Sequence, residues 1–209
     1  MAEIKICGLT NQREAQWIMD AKVEYAGIVL FCESSKRNNS IENVYQLLRI
    51  LKSPVRSYDI KVVAVTVSPS VEQIAIIQML GFDYIQVHGE LTKEALEAIK
   101  IPIFRAFHIE NMELFQEEAK EEKIIGYVFD AKEPGSGITF DWKKLKEIKR
   151  DDKIMILAGG LNAENVRQAI EQVNPQVVDV SSGVEENTDT IGKDKLKIME
   201  FVRKVRTNE

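Results

Sequence analysis

The sequence has few cysteines and few histidines. Its 209 residues include two of each: Cys7, Cys32, His88 and His108. Two cysteines in a chain of this length cannot provide a disulfide framework. Two histidines are too few for a histidine-rich metal centre, which argues against the metal-dependent epimerases of pentose phosphates.

Long hydrophobic runs and an excess of basic charge are also missing. No stretch approaches the ~20 apolar residues of a membrane span, and the opening MAEIKICG lacks the apolar run of a signal peptide. The 28 basic and 33 acidic residues give a net charge of -5. We therefore expect a cytoplasmic protein that binds neither membrane nor nucleic acid, although a local basic pocket for a phosphate remains open.

No linker, low-complexity segment or change of composition divides the chain. Its 44% apolar and 29% charged residues are typical of globular proteins. The sequence therefore predicts a single domain over residues 1–209.

Short apolar stretches rich in β-branched residues recur along the whole chain. Several are continuously apolar, as parallel strands buried on both faces are. We interpret eight of them as strands, beginning near residues 4, 25, 62, 84, 101, 126, 154 and 177.

Helical patterns lie between these strands. Apolar residues with helical spacing are Val44, Leu47, Leu48 and Leu51, then Val166, Ala169, Ile170 and Val173, then Ile198, Phe201, Val202 and Val205, with a shorter match at Ala15, Ile18 and Met19. We expect helix N-caps at Thr10, Ser40, Thr92, Asp141 and Asn162. Eight alternations of strand and helix predict a (β/α)8 TIM barrel, with a doubly wound open sheet as the alternative.

In such a barrel, ligands bind at the carboxyl ends of the strands. Gly159 and Gly160 follow strand 7, and Ser182 and Gly183 follow strand 8. Glycines let backbone amides approach an anion closely, and Asn162 is expected to open a helix whose amides point the same way. These loops predict a phosphate site, although tight turns also need glycine.

Cys7 ends strand 1 and Asp130 ends strand 6, roughly across the mouth of the barrel. A thiolate can act as a base near neutral pH, and a carboxyl group in an apolar pocket can keep and donate a proton. From the residues alone, a small buried hydrophobic side chain is the better interpretation of Cys7. Asp130 could equally be a loop cap or a partner of Lys132.

Three further residues could bind a substrate. Arg37 could hold a carboxylate with two hydrogen bonds, although a solvated loop arginine is more common. His88 could be an acid, a base or a structural residue. Asp179 could bind a sugar hydroxyl if it faces the barrel mouth, and is otherwise a paired interior charge.

At this point several motifs together resemble one family, the phosphoribosylanthranilate isomerases of tryptophan biosynthesis. They occur in family order over almost the whole chain: KICGLTN (5–11), SKR (35–37), QVHGE (86–90), FDAK (129–132), GSG and TFDW (135–142), LAGGLNAENV (157–166), VDVSSGVE (178–185) and GKD (192–194).

The resemblance implies an Amadori rearrangement of N-(5-phosphoribosyl)anthranilate, with Asp130 as the acid and Cys7 as the base. It also implies that Arg37 binds the anthranilate, that Gly159, Gly160, Ser182 and Gly183 bind the phosphate, and that no metal or organic cofactor takes part. We expect a monomer or a homodimer.

The chain departs from the family pattern in two loops. Cys32-Glu33-Ser34 stands where the family often has proline, and Ile138 stands where it often has lysine. We therefore expect the loop after strand 6 to have a weaker role, or one carried by Lys132.

Two other functions are considered. Histidine-pathway or dual-substrate isomerases use an aspartate at the end of strand 1, so Cys7 argues against them. An inactive barrel that only binds a phosphorylated ligand would be expected to lack Cys7 or Asp130, and both are present.

Overall fold

The predicted strands form a closed barrel of parallel strands, in the order in which they occur along the chain. The structure is a computed structural model that describes residues 1–54, 58–108, 112–118, 120–130, 139–148, 151–186 and 192–207. Within these residues the strands are Glu3–Cys7 (β1), Tyr25–Val29 (β2), Lys61–Val67 (β3), Tyr84–His88 (β4), Ile103–His108 (β5), Ile124–Asp130 (β6), Ile154–Leu157 (β7) and Val177–Val180 (β8). Strand β1 pairs with both β2 and β8, which confirms the barrel and excludes the open sheet.

Side chains at alternate strand positions point into the barrel, and aromatic rings fill its amino-terminal end. Tyr25, Tyr84 and Phe104 lie near the starts of β2, β4 and β5. The rings of Tyr84 and Phe104 are stacked, with centroids 4.8 Å apart, and Tyr25 meets both edge-on. Because these rings occupy the amino-terminal end, the polar interior residues lie towards the carboxyl ends of the strands.

The outer faces of the strands pack against helices. These are Gln12–Asp20 (α1), Ile41–Leu51 (α2), Val71–Leu80 (α3), Lys93–Ala98 (α4), Met112–Glu118 (α5), Val166–Val173 (α6) and Lys195–Arg206 (α7). All the predicted apolar positions of α1, α2 and α7 are buried, which confirms those faces. In the described part of the chain, no helix is long and apolar enough to cross a membrane.

The connection after β6 differs from the expected α-helix. The described residues form a 3-10 helix, Trp142–Glu147, whose first turn is capped by Asp141 as predicted. A second short 3-10 helix, Ser182–Val184, follows β8.

Two of the predicted N-caps are wrong, whereas Ser40 and Thr92 are confirmed. Helix α1 is capped by Asn11, because the amide and hydroxyl groups of Thr10 donate to the Glu14 carboxylate instead.

Helix α6 begins at Val166 rather than after Asn162, and its N-cap position is Asn165. The side-chain oxygen of Asn162 accepts hydrogen bonds from the amides of Glu164 and Asn165. Asn162 therefore forms a turn ahead of the helix and uses amides that we expected to face an anion.

Candidate active site

A cavity of about 660 Å³ opens at the carboxyl ends of the strands. Closing the barrel brings side chains from distant parts of the chain together around it. The predicted site residues that line it are Cys7, Arg37, His88, Asp130, Gly159, Gly160, Asp179 and Ser182.

Cys7 is the last residue of β1, and its half-buried thiol is free, as is that of Cys32 at the same cavity. Burial raises the pKa of the Cys7 thiol, and the nearby Asp179 carboxylate adds to that effect. The ammonium groups of Lys5 and Lys193 and the guanidinium of Arg37 act in the opposite direction. The three basic groups around Cys7 therefore offset part of the free-energy cost of burying a thiolate.

Arg37 is buried, at 9% exposure, so it is not a solvated loop arginine. Its Nε donates to Oε1 of Glu185 at 2.5 Å, and Nζ of Lys193 binds the same oxygen at 3.1 Å. Although burial acts the other way, these two cations lower the pKa of Glu185 to about 2. Glu185 holds one edge of the guanidinium, while the buried Nη2 of Arg37 has no hydrogen-bond partner among the described residues.

Asp179 lies inside the barrel on β8, opposite Lys5 of β1. Lys5 is fully buried, and its Nζ donates to Oδ2 of Asp179 at 2.5 Å. The other oxygen, Oδ1, is buried without a hydrogen-bond partner in the part of the chain that the structure describes, and Asp179 lines the cavity. Both interpretations of Asp179 therefore hold, since one oxygen is paired and the other is open to a ligand.

His88 lies beside Gln86, two residues earlier on β4, with 2.8 Å between their Nε2 atoms. Burial lowers the pKa of His88 to about 3, with the Lys5 charge adding to that effect. The imidazole is therefore neutral at physiological pH. No described residue forms a hydrogen bond with the buried Oε1 of Gln86. The two side chains form a neutral polar pair at the cavity.

The loops after β7 and β8 form another part of the cavity wall. Gly159 and Gly160 have φ angles of 82° and 65°, which other residues rarely adopt. Gly183 lies where it meets the loop after β7, and its role in phosphate binding stays a prediction. A Cβ atom on it would lie 2.0 Å from the carbonyl oxygen of Leu161, so Gly183 is where the two loops touch.

Sequence reasoning missed four buried polar residues around these groups: Lys5, Gln86, Glu185 and Lys193. Strand alternation carries a signal for two of them, because Lys5 and Gln86 stand two positions before Cys7 and His88 and share their inward face. Lys132, Ile138 and the rest of the loop after β6 lie outside the described residues, so the expected role of that loop stays a prediction.

Comparisons with known proteins identify the family of this chain. The family model described as N-(5'-phosphoribosyl)anthranilate (PRA) isomerase matches residues 4–204. The chain belongs to this isomerase family. One curated relative is the N-(5'-phosphoribosyl)anthranilate isomerase of Thermoanaerobacter sp. (strain X514). It is 38% identical over 99% of this chain and 98% of its own length.

Solved structures of relatives have the same fold as this chain. Monomers generated from the dimeric isomerase of Thermotoga maritima match it with a TM-score of 0.81, at 30% identity and 99% coverage of both chains. An isomerase in complex with reduced 1-(o-carboxyphenylamino)-1-deoxyribulose 5-phosphate gives a TM-score of 0.80, at 28% identity and the same coverage.

Proposed function

We propose that this protein converts N-(5-phosphoribosyl)anthranilate into 1-(2-carboxyphenylamino)-1-deoxyribulose 5-phosphate in tryptophan biosynthesis, in the cytoplasm and without a cofactor. The observation that carries the proposal is the shared cavity. It gathers the thiols of Cys7 and Cys32, the carboxyl groups of Asp130 and Asp179, the loops after β7 and β8, and three buried polar atoms that have no hydrogen-bond partner among the described residues.

Binding comes first in this proposal. The unpartnered Nη2 of Arg37 meets the anthranilate carboxylate, because a guanidinium held at one edge by Glu185 still presents its other donors. Oδ1 of Asp179 and the pair Gln86–His88 bind ribose hydroxyl groups. Gly159, Gly160, Ser182 and Gly183 form the phosphate end of the site.

The chemistry then needs one acid and one base. Asp130 donates its proton to the furanose ring oxygen, the bond from C1 to that oxygen breaks, and the nitrogen lone pair forms a Schiff base. The Cys7 thiolate removes the proton from C2 to give an enolamine. Protonation at C1 and loss of the hydroxyl proton at C2 then yield the ketone.

The proposal is tested by turnover of purified variants. We expect Cys7→Ala and Asp130→Ala each to lower kcat by a factor on the order of 10² or more, since each removes a general acid or base. Consumption of freshly prepared substrate is followed by its anthranilate fluorescence. Cys32→Ala is the matched control, because it removes the other thiol at the same cavity and is expected to leave kcat nearly unchanged. Wild-type kcat in Cys7→Ala would contradict the assignment of the base.

The assembly of this protein is proposed to be a monomer or a homodimer of a single-domain chain. The description of the Thermotoga maritima relative as dimeric supports the second possibility. Light scattering in solution distinguishes the two.

A further inference from the structure

A buried lysine lies directly behind the proposed base. Lys5 and Cys7 are two positions apart on β1, so both side chains point into the barrel. Lys5 is fully buried, and it pairs in register with Tyr25 of β2. Burying a lysine costs free energy unless its charge is paired with nearby anions.

The contacts of Lys5 identify those anions. Its Nζ binds Oδ2 of Asp179 at 2.5 Å, and its charge also acts on the thiol of Cys7. Burial alone would lower the pKa of Lys5, but Asp179 and Cys7 outweigh it, and that pKa is raised. Lys5 is therefore a cation at neutral pH.

Several charged and titratable groups face Cys7 from the surrounding elements. They are Lys5 on β1, Arg37 after β2, His88 on β4, His108 on β5, Asp130 on β6, Asp179 on β8 and Lys193 before α7, and Cys32 and Lys36 also line the cavity. Within the described residues, the basic groups of Lys5, Arg37 and Lys193 are paired with the carboxylates of Asp179 and Glu185. All three basic groups favour the thiolate form of Cys7.

The other two cations are engaged elsewhere. Nζ of Lys193 binds the carbonyl and hydroxyl oxygens of Ser181 at 3.1 and 3.2 Å, and Glu185 at 3.1 Å. Arg37 is bound to Glu185 and is assigned to the substrate carboxylate. Lys5 is the cation that shares its strand face with Cys7.

We propose that Lys5 is a positioning residue for the reaction, a buried ammonium group that stabilises the Cys7 thiolate, and that Asp179 moderates its charge. This inference rests on the proposed role of Cys7 as the base. It goes beyond that role by naming the group that makes the base available.

The test measures thiolate formation without turnover. In a Cys32→Ser background, Cys7 is the only cysteine in the sequence, and its rate of alkylation by iodoacetamide is followed against pH. Because an opposite charge at close range shifts a pKa by about 1–3 units, we expect Lys5→Met to move the midpoint by at least about one unit to higher pH. At neutral pH this slows alkylation by roughly tenfold or more.

Asp179→Asn gives the decisive comparison. It removes a carboxylate and leaves the lysine, so we expect the midpoint to move to lower pH, opposite to Lys5→Met. If the pair were only structural, both substitutions would loosen the same packing and shift the midpoint in the same direction. Shifts of the same sign, or an unchanged midpoint in a folded Lys5→Met protein, would overturn the proposal.

Two controls keep the result interpretable. Lys61→Met removes another strand lysine that is paired with an aspartate, Asp59, but at the amino-terminal end of the barrel, and we expect it to leave the midpoint unchanged. Should Lys5→Met fail to fold because Asp179 is left unpaired, the double variant Lys5→Met/Asp179→Asn removes both charges. Lys5 acts on Cys7 more strongly than Asp179 does, so the alkylation midpoint of the double variant is still expected above that of wild type.

The same variants separate this proposal from the proposed function. In turnover assays, Lys5→Met is expected to shift the pH dependence of kcat to higher pH with little change in KM. Retained turnover in Cys7→Ala would refute Cys7 as the base, whereas the alkylation midpoints would still decide whether Lys5 stabilises the thiolate.

Discussion

The position of Arg37 depends on Glu185, a residue that follows it by almost 150 positions in the chain. Glu185 binds Nε of Arg37 at 2.5 Å, and Lys193 donates to the same carboxylate oxygen at 3.1 Å. The guanidinium is thereby fixed while Nη2 has no hydrogen-bond partner among the described residues. Fixing a side chain before the ligand arrives reduces the entropy lost on binding.

From this contact we predict that Glu185→Gln raises KM for N-(5-phosphoribosyl)anthranilate more than it lowers kcat. A neutral amide holds the guanidinium less firmly, and a charge-assisted hydrogen bond contributes about 1.5–3 kcal/mol, so a rise in KM of roughly tenfold is expected. Steady-state kinetics at saturating and low substrate measure both constants. Glu186→Gln, at the exposed neighbouring position, is the matched control. A loss in kcat alone would show that Glu185 acts on the chemistry instead.

Residue types at the strand ends were predictable from sequence, but their partners were not. Cys7, considered alone, resembled a buried apolar residue, because the cations that distinguish it lie on β1, after β2 and before α7. Arg37 likewise resembled a solvated loop residue until Glu185 was seen to cover it. The resemblance to a known family, rather than local pattern, gave these residues their roles.

Among the elements, the loops after β7 and β8 are joined at Gly183. The absence of a side chain there lets the backbone at Leu161 pass close by. The two halves of the proposed phosphate site are thus held at a fixed separation by a contact between the loops.

We therefore predict that Gly183→Ala weakens phosphate binding. Its Cβ would lie 2.0 Å from a backbone oxygen, so one loop must move. KM for substrate and the inhibition constant of inorganic phosphate should both rise, by roughly tenfold for a loss of ~1.4 kcal/mol. Gly192→Ala is the control, since its Cβ would meet Glu14 at an ordinary 3.4 Å. Unchanged phosphate inhibition in Gly183→Ala would mean that phosphate does not bind between these loops.

Strands were easier to predict than connections. Each apolar stretch became a strand because both of its faces are buried, whichever neighbours it has. The ends of helices depend instead on single hydrogen bonds. Asn11 rather than Thr10 caps α1, because Thr10 donates hydrogen bonds to Glu14. The segment from Trp142 adopts a 3-10 helix that the sequence pattern did not indicate.

The molecule as a whole is expected to lose stability in acid over two pH ranges. His88 has a folded pKa of about 3 against an ordinary 6.5, so the unfolded chain takes up a proton first as the pH falls below 6.5. Glu185 has a folded pKa of about 2 against 4.5, so its contribution is complete above 4.5 and is lost as the pH falls towards 2.

Urea unfolding at a series of pH values tests this prediction. The free energy of unfolding should begin to fall near pH 6.5. His88→Asn should remove the fall that begins near pH 6.5 and continues to about pH 3, whereas Glu185→Gln should remove only the additional fall from about pH 4.5 towards 2. A wild-type unfolding free energy that stays constant down to about pH 4.5 would show that His88 is charged in the folded protein.

The ion pair between Lys5 and Asp179 joins the first strand of the barrel to the last, across 174 positions of the chain. During synthesis on the ribosome, Lys5 emerges early and has no carboxylate partner until β8 has been translated. Until then β1 also has an unpaired edge, which is a surface that favours aggregation. The proposed base therefore acquires its cation, its counter-charge and its place in a closed barrel in one late step, and a nascent chain released before Asp179 would be both unclosed and inactive.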